Sequence, residues 1–436
     1  MKLGVISFRV LSLFVSLVAA DSGSEVDAPA SQDEFDTTSS ETIIKPEDII
    51  IESASSQEDQ GQETSDSYFP WTHKPICGEA LSESGDQFCI YTNASFSNGR
   101  GISILTTVAV AEEFAALPLF QDATALSSKG INVDTAADER PWYTAALPGK
   151  GIGMLASRPL QRGDLITAYT PSLLAHVGDS LFTEERERLL RLGLDQLPST
   201  SREAYLALAK FYDEPDVVAQ DVLKANGFDM QVGGLKHGAV FPEASRYNHA
   251  CGPNAQYFFS ADLLTHYVHA VRPIGKDEEI TISYAPPLRL HAERQEYFQS
   301  VFRFKCACPR CSPGSHSKER TIEDSDRATQ EIINLQYQLS QWTPGSTATV
   351  KKAEQLVNLY KAEGLEGFMD LAYGHAALTY NGVGSARGAK KYANLAVEAT
   401  RLKYGFDAVG LQKAGEWEKF ASDPMSHATW RKRKTT

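Results

Sequence analysis

The chain opens with a short apolar run, Val10 to Val18, behind Lys2 and Arg9 and ahead of the small residues Ala19 and Ala20. That order reads as a secretory leader over residues 1–20, cut before Asp21; the other reading is a buried N-terminal helix. The run is too short to span a bilayer and no other stretch qualifies, so no membrane anchor is expected. Residues 21–69 are rich in Ser, Asp, Glu, Gln and Thr with few aromatics. Such a composition cannot bury enough apolar surface to offset its ordering entropy, and disorder is expected there.

From Trp142 the pattern becomes strand-like. Gly151 to Ala156 and Asp164 to Tyr169 are short apolar runs, each behind a glycine turn. Residues 181–226 switch to helical spacing, with Leu189, Leu190 and Leu194 followed by Tyr205, Leu208 and Phe211. Strands return at Val240-Phe241, at Tyr257 to Phe259, from Tyr267 to Val271 and from Glu279 to Tyr284. Beyond Ser312, apolar residues recur at helical spacing through Ile332, Leu335, Leu356, Tyr360, Ala376, Tyr392 and Ala399. Residues 320–422 therefore read as helices, and Ala376 to Tyr404 is faintly similar to a tetratricopeptide pair, for which packing on the preceding domain is the expected use and a protein-binding groove the other reading.

Composition changes this picture little, at 42% hydrophobic and 22% charged over 436 residues, enough for two or three domains. Charge is more informative. The net of −14 is local, because residues 21–69 hold fourteen acidic side chains and one lysine. The remainder is nearly balanced, so no nucleic-acid-binding face is expected. The basic end, Trp430 to Lys434, reads as a solvated tail.

Six cysteines carry the first chemistry. Cys306, Cys308 and Cys311 form a C-x-C-x-x-C knuckle, and Cys251 stands alone upstream. Three ligands from one loop and a fourth from a distant one suit a tetrahedral zinc ion, Zn(2+), with thiolates about 2.3 Å from the metal. The alternative is free or disulfide-bonded thiols. In residues 70–139, an N-terminal extension, Cys77 and Cys89 bracket a short loop, and Asn93-Ala94-Ser95 is a glycosylation sequon. In a secreted chain a Cys77–Cys89 disulfide is the natural reading; two reduced cysteines are the other.

Taken in order, Gly151-x-Gly153, a helical insertion, Asn248-His249-x-Cys251-x-Pro253-Asn254, Glu278-Glu279-Ile280-x-Ile282-Ser283-Tyr284 and the cysteine knuckle resemble a SET domain, the fold of most protein lysine methyltransferases, in its SMYD-like form. The resemblance covers roughly residues 140–312. It implies an α+β fold of small sheets: a SET domain over 140–300 with its insertion at 172–240, a post-SET zinc segment at 301–312, and C-terminal helices. Proteins of the SMYD kind carry a MYND zinc module in the insertion, and residues 172–240 contain no cysteine, so that module is absent.

The same resemblance implies an S-adenosyl-L-methionine pocket. Lys150, Gly151, Ile152 and Gly153 would line the methionine part, Asn248 and His249 would hold the amino-acid and adenine parts, and Phe304 would stack on adenine. Relatives often carry a basic residue where Ile152 stands, which weakens the carboxylate contact. It also implies a pseudoknot, with the chain beyond Tyr284 passing beside the Asn248–Asn254 loop. Tyr284 is the expected catalytic residue. A lysine amine, with an unperturbed pKa near 10.4, must be neutral to accept a methyl group, and a narrow apolar channel with a fixed hydroxyl favours and orients that form. Phe302 falls where relatives carry a tyrosine that limits methylation; a phenylalanine leaves room for more than one methyl.

The implied function is methyl transfer to a lysine of a protein substrate, histone or otherwise. The alternatives are a catalytically silent secreted SET-fold binding or effector protein, and a zinc-stapled scaffold. Leader and sequon point to the secretory pathway, the catalytic motifs to a compartment that supplies the methyl donor, such as nucleus or cytoplasm.

Overall fold

The computed structural model describes residues 68–433, apart from 82–84, 123, 134–138, 179–180, 233, 313–319, 344 and 407. The expected leader over 1–20 and nearly all of the acidic segment 21–69 lie outside the described residues.

Among the described residues, thirteen strands follow in order: β1 (Ile76–Cys77), β2 (Phe88–Asn93), β3 (Ile102–Thr107), β4 (Trp142–Leu147), β5 (Gly151–Ala156), β6 (Leu165–Tyr169), β7 (Leu173–His176), β8 (Phe228–Val232), β9 (Leu235–Val240), β10 (Asn248–His249), β11 (Ala255–Ser260), β12 (Thr265–Ala270) and β13 (Thr281–Ile282). They form a six-stranded sheet ordered β1-β2-β3-β7-β9-β8, a three-stranded sheet β11-β12-β6, and the pairs β4-β5 and β10-β13.

Sequence reading missed β2 and β3. Residues 70–139 supply three strands of the largest sheet, and β3 pairs parallel with β7 of the expected domain. The two strands read as continuous apolar runs because both faces are covered. Cys89, Tyr91, Ile102 and Ile104 face one core, shared with Met154, Phe241 and Tyr247. Phe88, Ile90 and Leu105 face a second, completed by Leu189, Leu190 and Leu194 of helix Thr183–Gln196.

That helix belongs to the insertion, whose other helices are Ser199–Leu206 and Val218–Asn226. Buried Glu187 fixes their arrangement, its carboxylate accepting the amides of Ala219 and Gln220 at 3.0 Å each, at the start of helix Val218–Asn226. An anion at the amino-terminal end of a helix satisfies two of its orphan donors and complements its dipole.

Five long helices make up the carboxyl-terminal third: Ile322–Ser340, Val350–Ala362, Met369–Gly382, Ala386–Tyr404 and Ala408–Ser422. They bury their own core around Leu335, Leu356, Tyr360, Ala376, Tyr392 and Ala393, and helix Ala386–Tyr404 packs on β11.

The expected strand from Glu279 to Tyr284 shrinks to β13. Side-chain bonds of Glu278 and Glu279 hold the preceding backbone outside a regular ladder. Likewise β6 begins at Leu165 because Asp164 spends its carboxylate on the Gln161 amide, a turn contact. The basic end is not a free tail as far as it is described. Arg433 lies 3.9 Å over the Trp342 ring and donates to the Leu339 carbonyl and Ser346 hydroxyl, because an arginine stem and a tryptophan face exclude water together.

Candidate active site and metal centre

The site is built where two short strands cross. In β10 and β13, Asn248 pairs with Thr281 and His249 with Ile282, in parallel. Asn254 stitches the crossing. Its Oδ1 accepts the Thr281 amide at 2.8 Å, and its Nδ2 donates to the Glu279 carbonyl at 2.9 Å. Two segments distant in sequence are thereby held side by side, and Cys251 faces the knuckle beyond Phe304.

The sulfurs of Cys251, Cys306, Cys308 and Cys311 lie within 4.8 Å of one another, all buried. Cys251 Sγ is 3.9 Å from Cys306 Sγ and 3.6 Å from Cys311 Sγ. Thiolates about 2.3 Å from one tetrahedral ion stand roughly 3.8 Å apart, so the donor set has the size that zinc requires. Arg294, also buried, sits 3.7 Å from Cys311 Sγ. Burial opposes its charge, but Cys251, Cys311 and Cys308 outweigh that and raise its pKa. A divalent ion held by four thiolates keeps two surplus negative charges, and Arg294 and Arg310 are the buried cations placed to offset them.

His249 links metal centre and aromatic pocket. Its Nδ1 accepts the Tyr284 amide at 3.0 Å, so Nε2 carries the proton, 3.3 Å from Cys251 Sγ. Burial pushes this imidazole down to about 4, and it is neutral. Tyr284 donates its hydroxyl to the Tyr247 carbonyl at 2.5 Å, and burial raises its pKa, so the phenol keeps its proton. Its ring lies 5.1 Å from Phe302, 5.3 Å from His249 and edge-on to Phe304 at 6.5 Å. Phe304 in turn stacks on Phe298 at 5.3 Å.

The structure thus brings together Tyr284, Phe302, Phe304, His249 and the four cysteines. A second group meets beside it. Glu279 accepts from Asn248 Nδ2 at 2.9 Å and pairs with Lys150 Nζ at 2.6 Å. The Asn248 amide also abuts Gly153. Gly151 has a φ of +73° and open space where a side chain would stand, and Ile152 is 45% exposed.

Cys77 and Cys89, register partners on β1 and β2, are disulfide-bonded in the six-stranded sheet, a different sheet from the β10–β13 pair. Asn93 closes β2, its Nδ2 donating to the Pro70 carbonyl at 2.8 Å; a glycan would leave that nitrogen a single hydrogen to donate.

Sequence reading missed Arg303, Arg294, Tyr247 and Glu279 as site residues. Arg303 stands between Phe302 and Phe304 in the left-handed region (φ 59°). Its guanidinium lies 4.1 Å over Tyr212 and donates to the Phe211 carbonyl at 3.1 Å. The insertion is thereby clasped to the aromatic arm. Paired glutamates before a strand were the available signal for Glu279; nothing local marks Arg303 or Arg294.

The crossing, Cys251 and Tyr284 fall within residues 151–285, which match the family model described as SET domain. Several curated proteins are similar over part of the chain. The histone-lysine N-methyltransferase set5 of Schizosaccharomyces pombe is 33% identical over 181 residues, 42% of this chain and 53% of the relative. The histone-lysine N-methyltransferase ASHR1 of Arabidopsis thaliana is 38% identical over 86 residues, 20% of this chain and 17% of the relative. The N-lysine methyltransferase SMYD2 of Gallus gallus is 32% identical over 141 residues, 29% of this chain and 32% of the relative. The chain spans about half the length of the first of these and less of the others.

Proposed function

We propose that the chain transfers methyl groups from S-adenosylmethionine to lysine side chains of a protein substrate. The observation that carries this is the Tyr284 hydroxyl, fixed by the Tyr247 carbonyl at 2.5 Å among half-buried aromatic rings. A phenol whose proton is already donated presents its oxygen lone pairs as acceptors. It therefore receives an N–H of a neutral amine and aims the nitrogen lone pair, the positioning contribution to catalysis. The neutral His249 and the apolar rings beside it add no charge and favour the neutral amine by desolvation.

The residues present fit the methyl donor. A half-exposed aromatic wall, Phe302 and Phe304, suits a heterocycle. Asn248 and Lys150 supply donors for a carboxylate, and the open edge at Gly151 leaves backbone accessible. S-adenosylmethionine supplies an electrophilic sulfonium methyl. Zinc fits the four thiols and would fasten the aromatic arm onto the β10 loop. Phe302, lacking a hydroxyl, supports products with more than one methyl.

A silent SET-fold binding protein is the second reading. It is favoured by Ile152, exposed where a cation would grip the donor's carboxylate, and by Lys150, whose charge Glu279 already holds. The Cys77–Cys89 disulfide supports an oxidising compartment, as the leader and sequon do, for either reading.

Calorimetry with S-adenosylmethionine, followed by labelled methyl transfer onto a peptide array, separates the two. Saturable binding and incorporation that Tyr284→Phe abolishes are expected. No detectable binding by the zinc-loaded protein rejects the enzyme.

A further inference from the structure

A second aromatic site lies on the opposite face of the sheet that carries Tyr257 and Phe259 into the core. Phe258 on β11 and Tyr267 on β12 are register partners, and His269 is two residues along. Their rings are nearly parallel: Phe258 is 5.0 Å from Tyr267 at 17° and 5.6 Å from His269 at 10°. They form a parallel-displaced aromatic stack, with Phe258 and His269 buried within it. Phe406, just past helix Ala386–Tyr404, stands over it as a wall, tilted 58° to Phe258 and 49° to His269, with centroids 6.2 and 5.6 Å away.

The close approach depends on Gly405. Its φ of +98° suits glycine, and a Cβ there would lie 2.7 Å from the Phe258 ring. The four rings line a cavity of about 470 Å³ whose other members include Asp262, Lys129 and Ser260. His269 acts as a ring here, not as a cation. Burial pushes it down to about 4, and its Nδ1 has no partner among the described residues.

We propose that this notch binds the methylated ammonium of a methyl-lysine side chain, with the four rings as walls and Asp262 as counter-charge. Ring faces attract cations through their quadrupole, most effectively when the cation sheds water readily. A bare lysine ammonium is compact and strongly hydrated. Methylation spreads its contact over apolar surface and lowers the dehydration cost, so the rings discriminate in favour of the methylated form. Lys129 lines the same cavity. The ligand class rests on the methyl-transfer function proposed above; the binding itself does not, since it needs no methyl donor.

The test is calorimetric titration of the full chain, donor-free, with Nα-acetyl-lysine amide, its trimethyl form, the uncharged carbon isostere of the trimethyl form, and choline. Expected is trimethyl-lysine binding about tenfold or more tighter than lysine, the isostere and choline, and lost about tenfold in Phe406→Ala. Asp262→Asn should weaken it severalfold, and Tyr284→Phe should leave it unchanged. Equal affinity for the isostere would show a merely apolar slot, and equal affinity for choline would remove the side-chain assignment. Absent saturation, or binding that survives Phe406→Ala but not Phe302→Ala, would also overturn the proposal. A chain that binds this way yet transfers no methyl group would sink the enzyme and leave the notch standing.

Discussion

Arg310, which lies between two cysteines of the knuckle, reaches out of the metal centre to Glu363 at the end of helix Val350–Ala362. The Nε to Oε2 distance is 2.9 Å, with side chains 3% and 0% exposed. The same guanidinium donates to the carbonyls of Cys251 and Pro287 and to the Thr329 hydroxyl, each at 3.0 Å. Glu363 also receives Ser325 and pairs with Arg320. One buried network therefore joins the sulfur cluster to the helical third of the chain.

Removing one partner leaves a buried charge uncompensated, at a cost of about 3–5 kcal/mol, whereas removing both costs less than the sum. Glu363→Leu should therefore be strongly destabilising in denaturant unfolding and expose the four thiols to an aromatic disulfide reagent. Arg310→Met with Glu363→Leu should recover part of that loss. Strict additivity of the two single changes would show that the ion pair is incidental.

The metal centre gives the second prediction. The purified chain should hold one zinc, and Cys306→Ser or a strong chelator should release it and lower the thermal midpoint, because the binding energy of a structural ion is folding energy. Loss of order should start in the arm that carries Phe302 and Phe304. Elemental analysis finding no zinc in folded protein defeats the assignment.

Tyr284→Phe removes one hydroxyl and leaves the ring contacts. The Tyr247 carbonyl then loses its donor, at a cost of about 1–3 kcal/mol. Methyl transfer should fall about 100-fold or more in kcat with little change in donor affinity, the signature of lost positioning. A variant with full kcat would move the catalytic role elsewhere.

Much of this site was legible in the sequence, for physical reasons. A zinc knuckle has to be compact, so Cys306, Cys308 and Cys311 announce themselves by spacing. Asn254 and Tyr284 sit in motifs whose residues must meet at the crossing. What stayed hidden is what depends on tertiary partners. β2 and β3 have no period-2 alternation because both their faces are buried, and a run such as Phe88 to Tyr91 looks alike in helix or strand. Arg303 and Glu363 look like ordinary surface charges until the fold sets Tyr212 and Arg310 against them.

Arg303 leads to the fourth prediction. The loop it clasps is itself rigid, since the Asp221 carboxylate accepts the amides of Phe211, Tyr212 and Asp213 at 2.8–2.9 Å. Arg303→Asn keeps a residue that tolerates a left-handed backbone and removes the clasp. The aromatic arm should then lose its anchor on the insertion, raising KM for peptide severalfold more than it lowers kcat. Arg303→Lys should not restore it, because an ammonium cannot both stack flat on Tyr212 and donate to the Phe211 carbonyl. Equal losses in kcat and kcat/KM would place Arg303 in the chemical step instead.

Acid should weaken this fold through histidines buried as neutral rings, and His266 isolates the effect. It is 1% exposed among Phe228, Phe241, Tyr257 and Phe259, and its Nε2 has no partner among the described residues. Burial pushes its pKa down to about 3. The unfolded chain binds a proton there below about pH 6.5, and the folded chain does not until far lower. Nothing is lost above that pH. Below it the unfolded state holds more protons, and stability falls by up to about 1.4 kcal/mol per pH unit for this residue. His266→Phe removes the titrating group and keeps an aromatic ring in an aromatic cluster, so its stability should fall less steeply from neutral pH to about 4.5. Denaturant unfolding across that range measures both slopes, and parallel curves for the two proteins would mean that His266 is already charged, or solvated, in the native state.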